Sequence, residues 1–260
     1  RVEALAGPQG TLYGSSSQSG TLKLITNKPD ASAFAAGYAL ELNTVESGGT
    51  GYNIEGYLNY PFADNVAIRL VAWTQENAGY IDNVFGERTF TVPDPDITID
   101  NANFVEKDYN NSTDTGARLA LKVDLNDNWT ILPTVMVQNT KSNGSFGFDP
   151  VVGDLQLTHF APESFDDKWV QASLTVTGKV GNFDVSYNYS YLDRDIDTQS
   201  DYSDYGYWYD VVSGYGAYDN DGNNIDPSQY IVAVDKYKNY SQELRISSDQ
   251  SKRLRFIGGL

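Results

Sequence analysis

The sequence predicts an all-β chain whose long strands form one antiparallel sheet with an apolar face and a polar face. Three observations predict it. Apolar and polar residues alternate with period two over runs of about ten residues. Short turns alternate with long polar connections. The composition is rich in tyrosine, 19 in 260 residues, and has no cysteine.

The strands can be read in order. A first lies near Ala35 to Asn43. From Tyr52, the even positions Tyr52, Ile54, Gly56, Leu58, Tyr60 and Phe62 are mostly apolar, against Asn53, Glu55 and Asn59. Val66, Ile68, Leu70 and Ala72 then stand against Arg69, and Ala117, Leu119, Leu121, Val123 and Leu125 against Arg118, Lys122 and Asp124. Trp129, Ile131, Val135 and Val137 alternate with Thr130, Thr134 and Gln138. Val170, Ala172, Leu174 and Val176 alternate with Gln171, Ser173, Thr175 and Thr177. Phe183, Val185, Tyr187, Tyr189 and Tyr191 alternate with Asp184, Ser186, Asn188 and Ser190. Near the end, Leu244 and Ile246 alternate with Glu243, Arg245 and Ser247.

The connections separate into two kinds. Ala63-Asp64-Asn65, Asn126-Asp127-Asn128, Gly181-Asn182 and Asp249 to Lys252 are tight turns. Long polar segments run at roughly 77–112, 141–167 and 197–238. Short turns at one end and long loops at the other are the pattern of a bacterial transmembrane β-barrel, with periplasmic turns and extracellular loops. If the first strand leaves the periplasmic side, Ser47–Gly51 is an extracellular turn and every later connection falls on its proper side. Phe62, Trp129 and Phe183 stand beside the periplasmic turns, with Trp169 and Tyr191 at the opposite strand ends, as two interfacial girdles would require. The alternative is that these are core aromatics of a soluble sandwich, but runs of ten residues exceed the usual soluble strand length. The polar face would line a lumen and carry Arg69, Arg118, Lys122, Glu243 and Arg245, free to pair with opposing charges of whatever fills that lumen.

Composition narrows the function. A net charge of -17 argues against nucleic-acid binding. Aromatics at 13% argue against disorder. Without cysteine, disulfide scaffolds and thiolate metal sites are excluded. No apolar run reaches the roughly 18 residues of a membrane helix. Arg1 opens directly into motif-like sequence and Phe256-Ile257-Gly258-Gly259-Leu260 stops within an apolar strand, so an internal piece of a longer protein is expected.

The first 30 residues break the alternation. They contain Val2-Glu3, then Gly7-Pro8-Gln9-Gly10-Thr11-Leu12-Tyr13-Gly14, Gly20, and Leu24-Ile25-Thr26-Asn27-Lys28-Pro29. This segment resembles the C-terminal part of the plug domain in TonB-dependent outer-membrane receptors. Gly116-Ala117-Arg118-Leu119 and Ser241-Gln242-Glu243-Leu244-Arg245-Ile246-Ser247-Ser248 resemble the same family. The chain departs from it at Ala6, where a basic residue is usual, and at Gly20-Thr21, where Gly-Gly or Gly-Ala is common.

The resemblance implies residues 1–30 as the end of the plug and 31–260 as the N-terminal part of the barrel. About nine strands would form an open sector of a 22-stranded barrel. It also implies a Gram-negative outer-membrane location, contact with outer-membrane lipid and lipopolysaccharide, a TonB energy complex as partner, and no cofactor. Active uptake of a scarce small-molecule ligand would be its function: by default a ferric siderophore or iron chelate, with a carbohydrate as second choice.

Enzymatic constellations are poor. His159 is the only histidine and reads as a solvated loop residue, and the many loop carboxylates show no catalytic pairing. Asp219-Asn220-Asp221-Gly222-Asn223-Asn224-Ile225-Asp226 has the Asp-x-Asp-Gly of a calcium loop, but Ala217 occupies the first ligand position and no Glu closes it, so a polar turn is favoured. The best ligand candidate is the loop carrying Tyr202, Tyr205, Tyr207, Trp208, Tyr209, Tyr215 and Tyr218. Its rings could stack on sugars or planar chelates, or simply pack into a cap. Asp201, Asp204, Asp210 and Asp219 around it disfavour a strongly anionic ligand without a metal.

Two other functions compete. A passive porin or barrel adhesin needs residues 1–30 in a barrel strand. A secreted glycan-binding β-sandwich needs a water-soluble, compact, independently folded chain, and fails if the apolar faces all point to one exterior.

Overall fold

A computed structural model describes residues 1–10, 17–214, 216–249 and 251–260. Among the described residues the elements are all strands but for one short α-helix and two other single helical turns. Strands β1 (Val2–Ala6) and β2 (Gly20–Leu24) pair antiparallel in a small sheet of their own, with Ala6 opposite Gly20. Glycine is needed at 20: its φ is +137°, and a Cβ there would stand 2.5 Å from the Leu5 carbonyl oxygen.

The main sheet has nine antiparallel strands, in line with the expected sector of about nine. They are β3 (Ala35–Thr44), β4 (Thr50–Ala63), β5 (Val66–Asn77), β9 (Ser112–Asn126), β10 (Trp129–Asn143), β12 (Ser164–Val180), β13 (Phe183–Asp201), β14 (Tyr230–Ser248) and β15 (Ile257–Gly259). Each pairs with the next in this order, so the sheet is a simple meander, open between its edges β3 and β15. The numbers in between belong to small pairs within the long loops: β6 (Asp82–Asn83) beside β11 (Gln156–Leu157), and β7 (Glu87–Phe90) beside β8 (Ile97–Asp100). The helix α1 spans Ser203–Trp208.

Register aligns the two faces across the sheet. One row reads Ala36, Leu58, Leu70, Leu119, Val135, Ala172, Tyr191, Tyr240. The adjacent row reads Asn59, Arg69, Ala120, Thr134, Ser173, Ser190, Ser241. Because side chains alternate with period two, the first row and its mates form an apolar face and the second a polar one. The polar face carries the segment that follows β2. Asn59 Nδ2 donates to the carbonyls of Asp30 and Ala33, its Oδ1 accepts from Asp30 N at 2.9 Å, and Arg118 Nη1 donates to Asn27 O. We call this the inner face. Pro133 lies within β10 where the ladder to β9 is interrupted at Leu132 and Pro133, as a residue without an N–H allows, while the pairing to β12 runs on through both.

The apolar face is not covered by protein. Among the described residues, the buried apolar side chains in the strands of the main sheet are only Ala67 and Ala120. Ile81, Phe90, Tyr109, Leu157 and Phe160, the large ones, lie in the long loops or in their short strands. Among the described residues no second sheet packs on the nine-stranded one and its apolar side chains point to one exterior, which speaks against the sandwich. β1 and β2 stay out of the main sheet, whereas the porin reading put residues 1–30 into it.

Two sequence expectations need correction. Trp169 pairs with Arg194 and Gln138 on the inner face and cannot join an outer girdle; it stands one residue from the outward Val170. The long loops are also shorter than their polarity implied. β10, β12, β13 and β14 continue to Asn143, Ser164, Asp201 and Tyr230, because backbone pairing persists after the outer side chains turn charged.

Candidate functional site

All three long loops (78–111, 144–163 and 202–229) leave the same end of the sheet and interlock there. They have little regular structure of their own, so their backbone N–H groups need other acceptors. Buried Asn and Asp side chains supply them. Asn110 Oδ1 accepts from Tyr80 N and Ile81 N at 2.7 and 2.8 Å. Asn83 accepts from His159 N and donates to the carbonyls of Phe104 and His159. Asn101 accepts from Gly86 N and donates to Val84 O. Asp201 Oδ2 takes Phe160 N and Ala161 N, both at 2.6 Å, and its Oδ1 takes Ser203 N. Asp210, 2% exposed, takes Thr91 N and Val92 N. Ile81, Tyr109 and Leu157 pack together beneath this network.

His159 is half-buried rather than a freely solvated loop residue. It lies within the interlocked loops, with Nδ1 2.7 Å from Glu163 Oε2. Tyr109 OH donates to the same carboxylate oxygen at 2.9 Å and accepts from Ser145 N at 3.0 Å. Burial opposes a charged ring at His159. The hydrogen bond and charge of Glu163, with Asp201 and Asp204, outweigh it and raise the histidine pKa. Burial likewise works against the Glu163 carboxylate, but its bonds to His159 and Tyr109 hold its pKa below the usual value. Burial and the Glu163 charge push the Tyr109 hydroxyl well above the usual phenol range. The sequence signal was only a His/Glu pair four residues apart; Tyr109 arrives from another loop.

The aromatic segment divides in two. Tyr207 is still exposed but contacts the cap: its ring meets Phe90 edge-on at 5.8 Å, and the Arg88 guanidinium lies 4.9 Å from the Tyr207 ring and 4.7 Å from the Phe160 ring. Arg88 also pairs with Asp204 at 2.6 Å. Tyr202, Tyr205, Trp208 and Tyr209 form a surface cluster. Helical spacing brings Tyr202 within 4.8 Å of Tyr205 and Tyr205 within 4.7 Å of Tyr209, with Trp208 edge-on to Tyr209. Tyr202, Tyr205 and Trp208 are exposed. Tyr218 bridges to Asn224 in the return of the loop, apart from these contacts. Tyr215 lies outside the described residues, as do Thr11, Leu12, Tyr13 and Gly14 of the N-terminal motif. Within that motif, Gly7 adopts φ +79°, and Gln9 N donates to Ser17 O while its side chain caps Ala6 O. Pro8 and Gly10 lie in the segment that follows β1.

The acidic surroundings of the aromatic cluster are largely spoken for. Asp201 and Asp210 hold backbone amides, Asp204 holds Arg88, and Asp219 accepts from Asp221 N, Asn223 N and the Asn223 side chain in a local turn. On the inner face, Lys122 pairs with Asp124 at 2.7 Å and Arg245 with Glu243, each two residues along its own strand. Arg69 and Arg118 have no such partner among the described residues.

Solved structures similar to the chain include two siderophore-related receptors. The ferric-catecholate import receptor Fiu from E. coli K12, in an open form, matches at 14% identity with a TM-score of 0.48, over 99% of this chain and 48% of that one. The siderophore receptor PiuA from Acinetobacter baumannii matches at 16% identity with a TM-score of 0.41, over 95% and 44%. The chain thus spans under half the length of either. No protein-family model and no curated protein matches it.

Proposed function

We propose that the chain is part of a TonB-dependent outer-membrane receptor, with residues 1–30 ending its plug and 31–260 beginning its barrel. The observation that carries this reading is the placement of the plug-like segment. It forms its own hairpin and then runs along the polar face of a sheet whose apolar face is uncovered. Such a face is stable against lipid. On β13 it runs from Phe183 to Tyr191, about 27 Å of strand and about 20 Å once tilted, close to the ~25 Å apolar band of such barrels. Above it the outer face turns ionic: Lys238 pairs with Asp193 at 3.1 Å and Lys168 with Asp166 at 2.8 Å, a level suited to lipid headgroups and lipopolysaccharide. Phe62, Phe183 and Phe256 mark the other rim.

The whole protein would import a scarce small molecule, by default a ferric siderophore or iron chelate, with a carbohydrate as second choice. The surface cluster of Tyr202, Tyr205, Trp208 and Tyr209 would meet it first by stacking. The test is accumulation of radiolabelled iron, supplied as hydroxamate, catecholate and citrate complexes, and of a labelled oligosaccharide, by cells with and without the intact gene. Uptake of one of them that needs both the gene and a working TonB complex supports the reading. Gene-dependent entry that persists without TonB would favour the passive porin.

A further inference from the structure

The helix α1 carries the exposed aromatic cluster, yet its own six residues cannot hold it in place. A helix this short is unstable alone in water. Its N-cap residue, Tyr202, makes no side-chain capping bond. Its position must therefore come from what it rests on.

It rests on β7. Along that strand Arg88 and Phe90 alternate with the exposed Glu87 and Thr89, so the first two share a face. On α1, Asp204 and Tyr207 are three residues apart and share a face as well. The two faces meet. Arg88 Nη2 lies 2.6 Å from Asp204 Oδ1, the guanidinium lies 4.9 Å from the Tyr207 ring centroid, and Phe90 meets that ring edge-on at 5.8 Å. The same guanidinium lies 4.7 Å from the Phe160 ring, so one side chain joins the three long loops. Further along, Asp210 takes Thr91 N and Val92 N at 2.7 and 2.9 Å. Asp204 is 75% exposed, so its ion pair contributes little by itself. The contact of a planar guanidinium with two rings adds more, and lysine cannot reproduce it.

We propose that Arg88 is a positioning residue for the aromatic cluster. It fixes α1 on β7, so that Tyr202, Tyr205, Trp208 and Tyr209 are presented as one preorganised stacking surface. This rests on the reading that the cluster meets the imported molecule.

The test uses the intact protein in detergent. Amide exchange is read at Tyr209 and Gly214, whose N–H groups close α1 and the turn after it, at Thr91 and Val92, and in β12 and β13 for reference. Arg88→Gln should speed exchange at the first four about ten-fold or more and leave the reference strands unchanged. Arg88→Lys should fall in between, and Glu87→Gln, on the other face of β7, should change nothing. Asp204→Asn cuts the contact from the helix side, and its effect should shrink once Arg88→Gln is present. Fluorescence titration with the ferric hydroxamate, catecholate and citrate complexes and with the oligosaccharide then reads the consequence. Any of the four that the wild type binds should bind Arg88→Gln about ten-fold more weakly, with Arg88→Lys intermediate. Unchanged exchange in Arg88→Gln, or exchange that rises equally in β12 and β13, would overturn the proposal. So would full probe binding by a variant whose α1 has loosened. If the wild type binds none of the four, the part of the cluster in uptake falls, while the hold of Arg88 on α1 is decided by exchange alone.

Discussion

At the scale of single residues, the loop cap is held by side chains that stand in for a sheet. Each buried Asn or Asp takes backbone N–H groups that β-pairing would otherwise have satisfied. The group at its centre titrates. His159, with its pKa raised, contributes stability that is full below the ordinary value of 6.5 and lost as pH rises through the folded value. Glu163, with its pKa lowered, contributes stability that is present above 4.5 and lost as pH falls through its own folded value. Both contributions are therefore complete between pH 4.5 and 6.5. Amide exchange at His159 and Ser145, corrected for intrinsic rates, should show greatest protection in that window and less on either side. His159→Gln should remove the alkaline decline and also weaken the acid one, since the His159 bond and charge are what chiefly hold the Glu163 pKa down; a wild-type profile flat from pH 4 to 9 would refute the assignment. Sequence reading missed this group because an i, i+4 His/Glu pair in a polar loop looks the same whether or not a tyrosine fifty residues away closes over it.

At the scale of elements, facing was legible and length was not. Leu119 and Ala120 differ by one position, and the register sends one to the apolar face and the other to the inner face beside Arg69. Leu119→Arg should therefore cost about 2–4 kcal/mol in lipid vesicles, while Thr134→Arg on the inner face should cost far less. Denaturant titration of refolded protein would measure both, and equal costs would mean that the outer face does not meet lipid. Strand ends were misjudged where charge was read as loop. Asp193, Asp195, Lys236 and Lys238 still pair in the ladder of β13 and β14, since backbone hydrogen bonds do not depend on what the side chain faces. Helix α1 was also missed: six residues with tyrosine, glycine and tryptophan show no helical stripe, and α1 exists because Gly206 lets it press against the Pro227 carbonyl while Asp210 docks the next turn.

At the scale of the whole molecule, the usual distribution of apolar residues is reversed. The packed apolar side chains lie in the loops, and the broadest apolar surface lies bare on the sheet. Edges β3 and β15 add unpaired backbone, and Tyr38, Leu40 and Leu42 stand exposed along one of them. The 260-residue chain should therefore associate in plain buffer and disperse in detergent micelles. Sedimentation in the two media would decide it; a soluble monomer with sharp cooperative unfolding in water would contradict an outer face made for lipid.

The sequence by itself determined what repeats locally. Side chains alternate every two residues whatever lies beyond the strand, so the apolar face, the polar face, the turn end and the loop end could all be read from spacing. The N-terminal motif was legible for a similar reason, being contiguous. Only the tertiary structure decided what depends on partners far away in the chain. Asp210 meets Thr91 across 119 positions, and Asn83 meets His159 across 76. Arg69 and Arg118 become neighbours only because β5 and β9 pair in one register, across a long loop that carries no alternation of its own. Contacts of that kind are set by loop closure and strand register together, and no local pattern records either.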